Sequence, residues 1–204
     1  MTDHVPDYLQ KDLFDEIIKL GPEASPLAPE LAKMKATRVL AAIGPAAKDA
    51  IPDMLAALPK FDTYKRELSA DRAMEVMDDI AKVDPQAPKK AVPPLVVEFH
   101  KMDHVYKSHV PLLQRMMDLD REKTKELAPD FVRWLSAKTL FDDAVAHLEL
   151  LAKLDQDTAR KVTIELNRRL AAGSLYWATD TRERLARVSA DLGVSSKDIP
   201  SKDK

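Results

Sequence analysis

Apolar residues recur along the chain three or four positions apart, a spacing that matches the period of an α-helix. Leu127, Phe131 and Leu135 lie at positions i, i+4 and i+8, so their side chains fall on one helical face. Comparable spacing recurs in three further sets: Ile51, Leu55 and Leu58; Phe141, Val145 and Leu148; and Val162, Leu166 and Leu170. The pattern predicts amphipathic helices whose apolar stripes form the core.

Composition favours the same structural class. The 204 residues include only 4 Gly and 5% aromatic residues, whereas sheet proteins depend on aromatic and β-branched residues and on glycine turns. Ala, Leu, Lys and Glu, which favour helices, are used instead. We expect helices near residues 6–20, 24–34, 36–43, 47–58, 65–83, 87–101, 104–118, 122–135, 139–154, 157–172 and 180–192.

Five segments share one turn pattern, in which an apolar residue ends a helix and Gly or Asp begins the connection. The pattern is most complete from Ile43 to Leu55, where Gly44 and Pro45 follow the apolar residue. The five turns lie near residues 20–22, 43–45, 83–85, 119–121 and 154–156. Gly accepts the left-handed conformation at a helix C-terminus, and Asp caps the next helix. Turns repeated in this way predict helix pairs in series.

A second proline follows four of these turns, about two helical turns further on. These residues are Pro29, Pro52, Pro93 and Pro129, at intervals of 23, 41 and 36 residues. Proline inside a helix removes a backbone donor, so we expect it to bend or delay the helix that carries it. Solenoids of paired helices have repeats of about 30–47 residues, and the short first interval implies one shortened helix, at residues 36–43.

The segment from Ile43 to Leu55 resembles the bacterial HEAT-repeat pattern, which also occurs in phycobilisome-lyase-like repeats. The resemblance covers residues 20–100 and continues in phase, though diverged, from 101 to 192. It implies an all-α fold, a right-handed α-α superhelix (solenoid) of about five antiparallel helix pairs, forming a single domain over residues 1–193. Residues 194–204 are polar, and we expect a flexible tail there.

HEAT-type repeats are shared by scaffolds, adaptors and a few enzymes, so the resemblance implies a protein or peptide partner bound on the concave face. That face would be formed by the second helix of each pair.

The sequence has no Gly-x-Ser-x-Gly motif, and its four scattered glycines form no phosphate-binding loop. The carboxylate pair Asp78 and Asp79 diverges on a helix, which is typical of a surface. We therefore expect a non-enzymatic interaction module without a cofactor.

Three histidines lie within residues 100–109, and His100 and His104 are four residues apart. On a continuous helix both imidazoles would project from one face, with Asp103 on an adjoining face, as ligands of zinc or iron often do. The alternative is a helix end and a turn, which would splay the pair. Enzymes of HEAT-like fold that oxidise a lysine derivative at a di-iron centre carry repeated His-Glu dipeptides, and this chain has none. The sequence therefore predicts no bound metal.

The last third of the chain is rich in arginine, including Arg168 and Arg169, with Tyr176 and Trp177 close behind. Basic residues interleaved with aromatic ones suit phosphate contact and base stacking, and HEAT-like alkylpurine DNA glycosylases use a surface of this kind. Nucleic-acid binding is therefore the alternative function. The other interpretation is a solvated surface, with the aromatic pair capping the last helix pair. Further basic residues here are Arg160, Lys161, Arg182, Arg184 and Arg187, and Glu165, Asp180 and Glu183 offset them.

Trp134 follows Arg133 on a helix whose core stripe is already complete. Trp and Arg are enriched in binding hot spots, so this pair is a second candidate for partner contact. Equally, Trp134 widens the core face. Both interpretations stay open from the sequence.

Net charge and cysteine content disfavour or exclude some of the remaining functions and kinds of site. The net charge of −2 disfavours a strongly basic nucleic-acid binder, and the absence of cysteine excludes disulfides and thiolate metal sites. Met1 to Lys11 is polar, and no apolar run is long enough to cross a membrane. We expect a cytoplasmic protein, an expectation that leaves open a segment removed before Met1.

Overall fold

The computed structural model describes residues 7–61, 66–136, 144–173, 175 and 177–198. All regular structure in these residues is helical and none is β-strand, which confirms the predicted all-α class. The α-helices are α1 (Asp7–Leu20), α2 (Ala28–Lys33), α3 (Thr37–Ile43), α4 (Ile51–Leu55), α5 (Arg66–Val83), α6 (Val92–His100), α7 (His109–Leu119), α8 (Arg121–Lys125), α9 (Ala128–Ser136), α10 (Ala144–Leu154), α11 (Gln156–Ala171) and α12 (Thr179–Asp191). Short 3₁₀ helices occupy Gly21–Leu27, Gly44–Ala50, Ala87–Ala91 and Ser196–Asp198.

The four repeated prolines occupy the same position relative to the helix that each one begins. Pro29, Pro52, Pro93 and Pro129 are each the second residue of an α-helix, namely α2, α4, α6 and α9. A 3₁₀ helix directly precedes the first three of these helices. Since N–H groups in the first turn of a helix have no partner within it, proline costs little there. The expected delay of the helix is confirmed at the first three prolines, where a 3₁₀ helix forms first and the α-helix begins one residue before the proline.

The turn residues adopt the conformations expected from the sequence. Gly21 and Gly44 have φ angles of +55° and +73°, which glycine adopts most easily. Asp120 and Asp155 are the N-caps of α8 and α11, and each accepts a hydrogen bond from the backbone N–H three residues on. Local chemistry therefore fixes these four connections.

The chain forms two compact units, Met1–Leu95 and Val96–Lys204. In the first unit α3 packs between α1 and α5, whereas α2 and the 3₁₀ helix Gly21–Leu27 pack against the following 3₁₀ helix, Gly44–Ala50. The core includes Leu40, Ile43 and Met54, all with no exposed surface. Helices that precede a turn thus contact one another, as do the segments that follow the turns.

The second unit repeats this arrangement. Here α10 packs against α7 and α12, and α9 packs against α11. The predicted stripe of Leu127, Phe131 and Leu135 is buried to at least 98%. Residues 137–143, which include the predicted core residue Phe141, lie outside the described residues. None of the described helices is long and apolar enough to cross a membrane.

Five predicted helices are wrong in their bounds. Those expected at 24–34, 47–58 and 87–101 begin as 3₁₀ helices, and only α2, α4 and α6 are α-helical there. The helix expected at 104–118 begins only at His109, and the one expected at 122–135 is divided into α8 and α9 by a turn before Pro129. The predicted polar tail, 194–204, contains a 3₁₀ turn at Ser196–Asp198, and its residues 199–204 lie outside the described residues.

Candidate functional site

The histidine segment covers a helix end, so the two imidazoles do not share a helical face. Helix α6 ends at His100, and His104 lies in the connection to α7. His100 Nδ1 is 2.6 Å from Asp130 Oδ2, and His104 Nε2 is 2.6 Å from the Tyr106 hydroxyl. Asp103 is exposed. The arrangement is the alternative of a helix end and a turn, and the described residues hold no group of three or more potential ligands for a metal ion.

Asp130 connects α9 to the end of α6. Its side chain is 9% exposed, and its two oxygens have different partners. Oδ2 contacts His100 Nδ1, and Oδ1 is 2.8 Å from Nη2 of Arg133, one helical turn further along α9. A carboxylate that has lost most of its water needs such partners, because burying it alone is costly. The pairing therefore fixes the position of α9 at the last turn of α6.

Arg133 and Trp134 together satisfy the backbone carbonyls beyond the end of α6. Arg133 Nη2 is 2.7 Å from the carbonyl oxygen of Met102 and 3.3 Å from that of His100. The Trp134 indole N–H donates to the same Met102 oxygen, at 2.9 Å. Carbonyls at a helix C-terminus lack partners in their own helix, and a cation there is favourable. Both side chains thus act as a cap for α6.

Burial decides between the two interpretations of Trp134. Its side chain is 4% exposed, and its ring packs at 5.2 Å from Phe131 and 6.1 Å from Phe99, measured between ring centroids. Trp134 therefore widens the core face, and the expectation of an exposed partner anchor is wrong for this residue. Arg133 is exposed, but its guanidinium binds Asp130 and the carbonyls after α6.

Most of the C-terminal arginines have acceptors within the chain. Arg168 Nη2 is 2.6 Å from Glu165, and hydrogen bonding between them lowers the pKa of Glu165 and raises that of Arg168. Three more arginines bind other parts of the second unit: Arg160 to Asp198 at 3.0 Å, Arg184 to Glu149 at 2.9 Å, and Arg182 to the Trp177 carbonyl at 3.0 Å. Carboxylates within the chain thus pair with three of these arginines, as the interpretation of a solvated surface expected.

The aromatic pair beside these arginines is only partly described. Trp177 lies before α12 and is 4% exposed, so its ring belongs to the packed end of the unit. This burial agrees with the interpretation in which the pair caps the last helices. Tyr176 lies outside the described residues.

A groove runs between α9 and α11, and sequence reasoning did not predict it. Its volume is about 270 Å³, and its lining is mainly apolar, with Val132, Leu135 and Leu166 on the two helices. Lys161 and Glu165 also line it, one helical turn apart on α11. Arg169 reaches across the same two helices, with Nη1 3.4 Å from the Ser136 carbonyl oxygen. The stripe Val162, Leu166 and Leu170 predicted burial, but a groove depends on how two helices pack.

A buried polar pair in the first unit was also missed. Thr37 Oγ1 donates to Asp79 Oδ2 at 2.9 Å, and the two residues are 1% and 5% exposed. Lys82 Nζ lies 3.3 Å from the other oxygen of Asp79. The expectation that Asp78 and Asp79 both lie on the surface is wrong for Asp79, which shares a helical face with the buried Val76. That apolar neighbour at i−3 was the available signal.

Comparison with known proteins gives one partial similarity. A stretch of 74 residues is 36% identical to an ATP phosphoribosyltransferase of Nitrosomonas eutropha and covers 35% of this chain and 34% of that protein. The similarity thus spans about a third of each chain, which does not place this protein in that family. No protein-family profile matches the chain. No solved structure matches it either.

Proposed function

We propose that this protein is a non-enzymatic interaction module, built of HEAT-like helix pairs stacked as an α-solenoid over residues 1–193. Its binding site would be the groove between α9 and α11, and its ligand a protein or peptide. The sequence resemblance to HEAT repeats supplies the repeat unit, and the packing within each unit supports it.

The packing order of the helices carries this proposal. In a solenoid each repeat contacts its neighbours, so the first helices of successive pairs line one layer and the second helices line another. Here α3 contacts α1 and α5, and α10 contacts α7 and α12, as first helices would. In the same way α9 contacts α11, as second helices would. Under this proposal the groove lies between two second helices, on the layer that would form the concave face of the solenoid.

The chemistry of the groove suits a polypeptide segment with apolar side chains. Val132 is half-buried and forms the apolar lining together with the buried Leu135 and Leu166. Lys161 is exposed at the edge, beside the Glu165–Arg168 pair. Such a mixture of apolar lining and polar rim is typical of protein interfaces. The nucleic-acid alternative gains no support, because Arg160, Arg168 and Arg184 already bind carboxylates.

Site-specific photo-crosslinking tests the groove directly. A photoreactive amino acid would replace Lys161 in the groove or, as the matched control, Lys125 on α8, which is an exposed lysine outside the groove. Both proteins would be irradiated in nuclease-treated and untreated lysate of the source organism. We expect a polypeptide to crosslink at position 161 in both lysates, to saturate, and to be absent at position 125.

A substitution in the groove gives the second arm. Val132→Glu places a charge on the apolar lining and should abolish the crosslink at position 161, while tryptophan fluorescence checks that the second unit remains folded. Equal crosslinking at positions 161 and 125 would refute the groove as the binding site. Capture that disappears after nuclease treatment would instead favour the nucleic-acid alternative.

A further inference from the structure

A pocket of about 410 Å³ lies within the first unit, formed by α1, the connection between α2 and α3, the first turn of α3, and one side chain of α5. Its inner surface is apolar, with the buried Val39 and the half-buried Phe14 and Ile18. Met34 extends this apolar surface and is 49% exposed. The volume and apolar lining fall in the range found for small-molecule sites.

The edge of this pocket is cationic. Lys11, Lys35, Arg38 and Arg72 line it, against a single carboxylate in the described lining, Asp15. Arg72 binds Glu75 at 2.9 Å. The other three cations have no side-chain partner among the described residues. The chain as a whole carries a net charge of −2, so this excess of positive charge is local.

Besides Glu75, which Arg72 binds, two carboxylates near the pocket would oppose the binding of an anion. Asp15 is exposed to solvent at the edge, where water screens its charge. Asp79 lies behind Thr37, which lines the pocket, and is held by the Thr37 hydroxyl and by Lys82 Nζ at 3.3 Å. Neither carboxylate has an ion pair with Lys35 or Arg38.

The backbone at the pocket edge is strained. Lys35 has a φ angle of +55°, a conformation that residues other than glycine rarely adopt. This conformation belongs to the turn that joins α2 to α3 and that places Met34, Lys35 and Arg38 along one edge of the pocket. It closes the C-terminus of α2, because the Lys35 N–H donates to the Ala32 carbonyl at 2.9 Å and the Ala36 N–H donates to the Leu31 carbonyl at 3.0 Å.

We propose that this pocket binds a small organic anion with an apolar body, that is, a carboxylate or phosphate monoester attached to an alkyl or aryl group. The apolar body would lie against Phe14, Ile18 and Met34. The anionic group would lie between Lys35 and Arg38, which supply three or more hydrogen-bond donors between them. This site is independent of the groove between α9 and α11.

Calorimetric titration of the full chain tests the proposal with four eight-carbon probes below their micellar concentrations. Octanoate and octyl phosphate carry the anion, 1-octanol carries no charge, and octyltrimethylammonium carries the opposite charge. We expect one saturable site for at least one of the anions, and binding at least about tenfold weaker for the alcohol and the cation. Tighter binding of octanoate assigns a carboxylate ligand, and tighter binding of octyl phosphate assigns a phosphate monoester.

Paired variants locate the site. Lys35→Gln with Arg38→Gln should weaken anion binding about fivefold or more, and added salt should weaken it in the wild type. Lys33→Gln with Lys60→Gln removes the same charge from exposed positions of the first unit outside the pocket and should change affinity less than twofold. Lys35→Arg with Arg38→Lys keeps the charge and should retain binding. Equal loss in both glutamine pairs, equal affinity for the cationic probe, or no saturable binding of either anion would overturn the proposal.

Discussion

Asp120 and Asp155 adopt nearly the same backbone conformation and perform the same task at the starts of α8 and α11. Their φ and ψ angles are −152° and 84° in one case and −147° and 96° in the other. Asp120 Oδ1 accepts from the Lys123 N–H and Asp155 Oδ1 from the Thr158 N–H, both at 3.1 Å. The two turns are therefore structurally equivalent, although little of the surrounding sequence is shared.

Replacing Asp155 should destabilise the second unit. Asp155→Ala removes the acceptor for the Thr158 N–H, and loss of such a cap costs about 0.5–2 kcal/mol in free energy of unfolding. Both tryptophans lie in this unit, so their fluorescence during urea unfolding reports its stability. Asp157→Ala, at an exposed position in the first turn of the same helix, is the control and should change stability by less than about 0.5 kcal/mol. Equal effects of the two variants would contradict the capping role.

The contribution of Asp155 should also depend on pH. Hydrogen bonds from the Thr158 N–H and hydroxyl lower the pKa of Asp155 in the folded protein. A lowered pKa gives stability that is complete above the unfolded value, about 3.9, and is lost as the pH falls through the folded value. The stability difference between the wild type and Asp155→Ala should therefore be constant near neutral pH and shrink below about pH 4. Asp155→Asn retains an acceptor that does not titrate, so its difference from Asp155→Ala should stay constant across this range.

Trp134→Phe should loosen the connection after α6. The substitution keeps a ring against Phe131 but removes the donor to the Met102 carbonyl, which Arg133 still binds. We expect a loss of about 1–3 kcal/mol from the hydrogen bond and the smaller ring. Amide hydrogen exchange in residues 101–108 should become faster than in the wild type by more than it does in α12, which serves as the internal reference. Uniform acceleration in both segments would show that Trp134 acts only through the stability of the whole unit.

The features that the sequence predicted are those set by residues close together in the chain. Gly44 and Pro52 act through the φ angle of one residue and a single missing N–H group, so their effects are visible in the sequence. The apolar stripe of α9 is likewise a local periodicity. Neither observation needs knowledge of the neighbouring helix.

The candidate sites depend on contacts across many residues, which periodicity does not specify. The His100–Asp130 pair joins positions 30 residues apart, and the Thr37–Asp79 pair joins positions 42 apart. Burial of Asp79 requires both its partner on α3 and its ion pair with Lys82. The charge of Asp79 therefore predicted a position on the surface, whereas the packing of α3 against α5 buries it beside Thr37.

A double-mutant cycle on Thr37 and Asp79 should reveal this coupling. Thr37→Val leaves a buried carboxylate with one partner fewer, so a loss of about 1–3 kcal/mol is expected. Asp79→Leu alone leaves the Thr37 hydroxyl without its carboxylate, while the double variant replaces both groups by apolar ones and should cost less than the sum of the single variants by about 0.5–3 kcal/mol. Hydrogen exchange of α5 measures the first unit, and Asp71→Asn at an exposed position of α5 is the control. Additive effects would refute the coupling.

Lys35→Gly should stabilise the first unit, although it removes a side chain and introduces glycine. The φ angle of +55° costs a residue with a Cβ atom about 1–2 kcal/mol, and glycine removes that cost at an entropic penalty of about 0.5–1 kcal/mol. The expected net gain is about 0.5–1 kcal/mol in free energy of unfolding. Lys33→Gly, two residues earlier at the end of α2, is the matched control and should lose about 0.5–1 kcal/mol, because its backbone is already helical.

Thermal unfolding followed by circular dichroism, with hydrogen exchange of α3 to assign the change to the first unit, would measure both glycine variants. A gain for Lys35→Gly with a loss for Lys33→Gly establishes that the strain is real and local. If Lys35→Gly also weakens octanoate or octyl phosphate binding, stability and ligand affinity move in opposite directions at one residue. Since Lys35→Gly also removes the ammonium group, that combination is expected where the lysine side chain is retained for binding at a cost in stability. A loss of stability as large as that of Lys33→Gly would show that Lys35 is not strained.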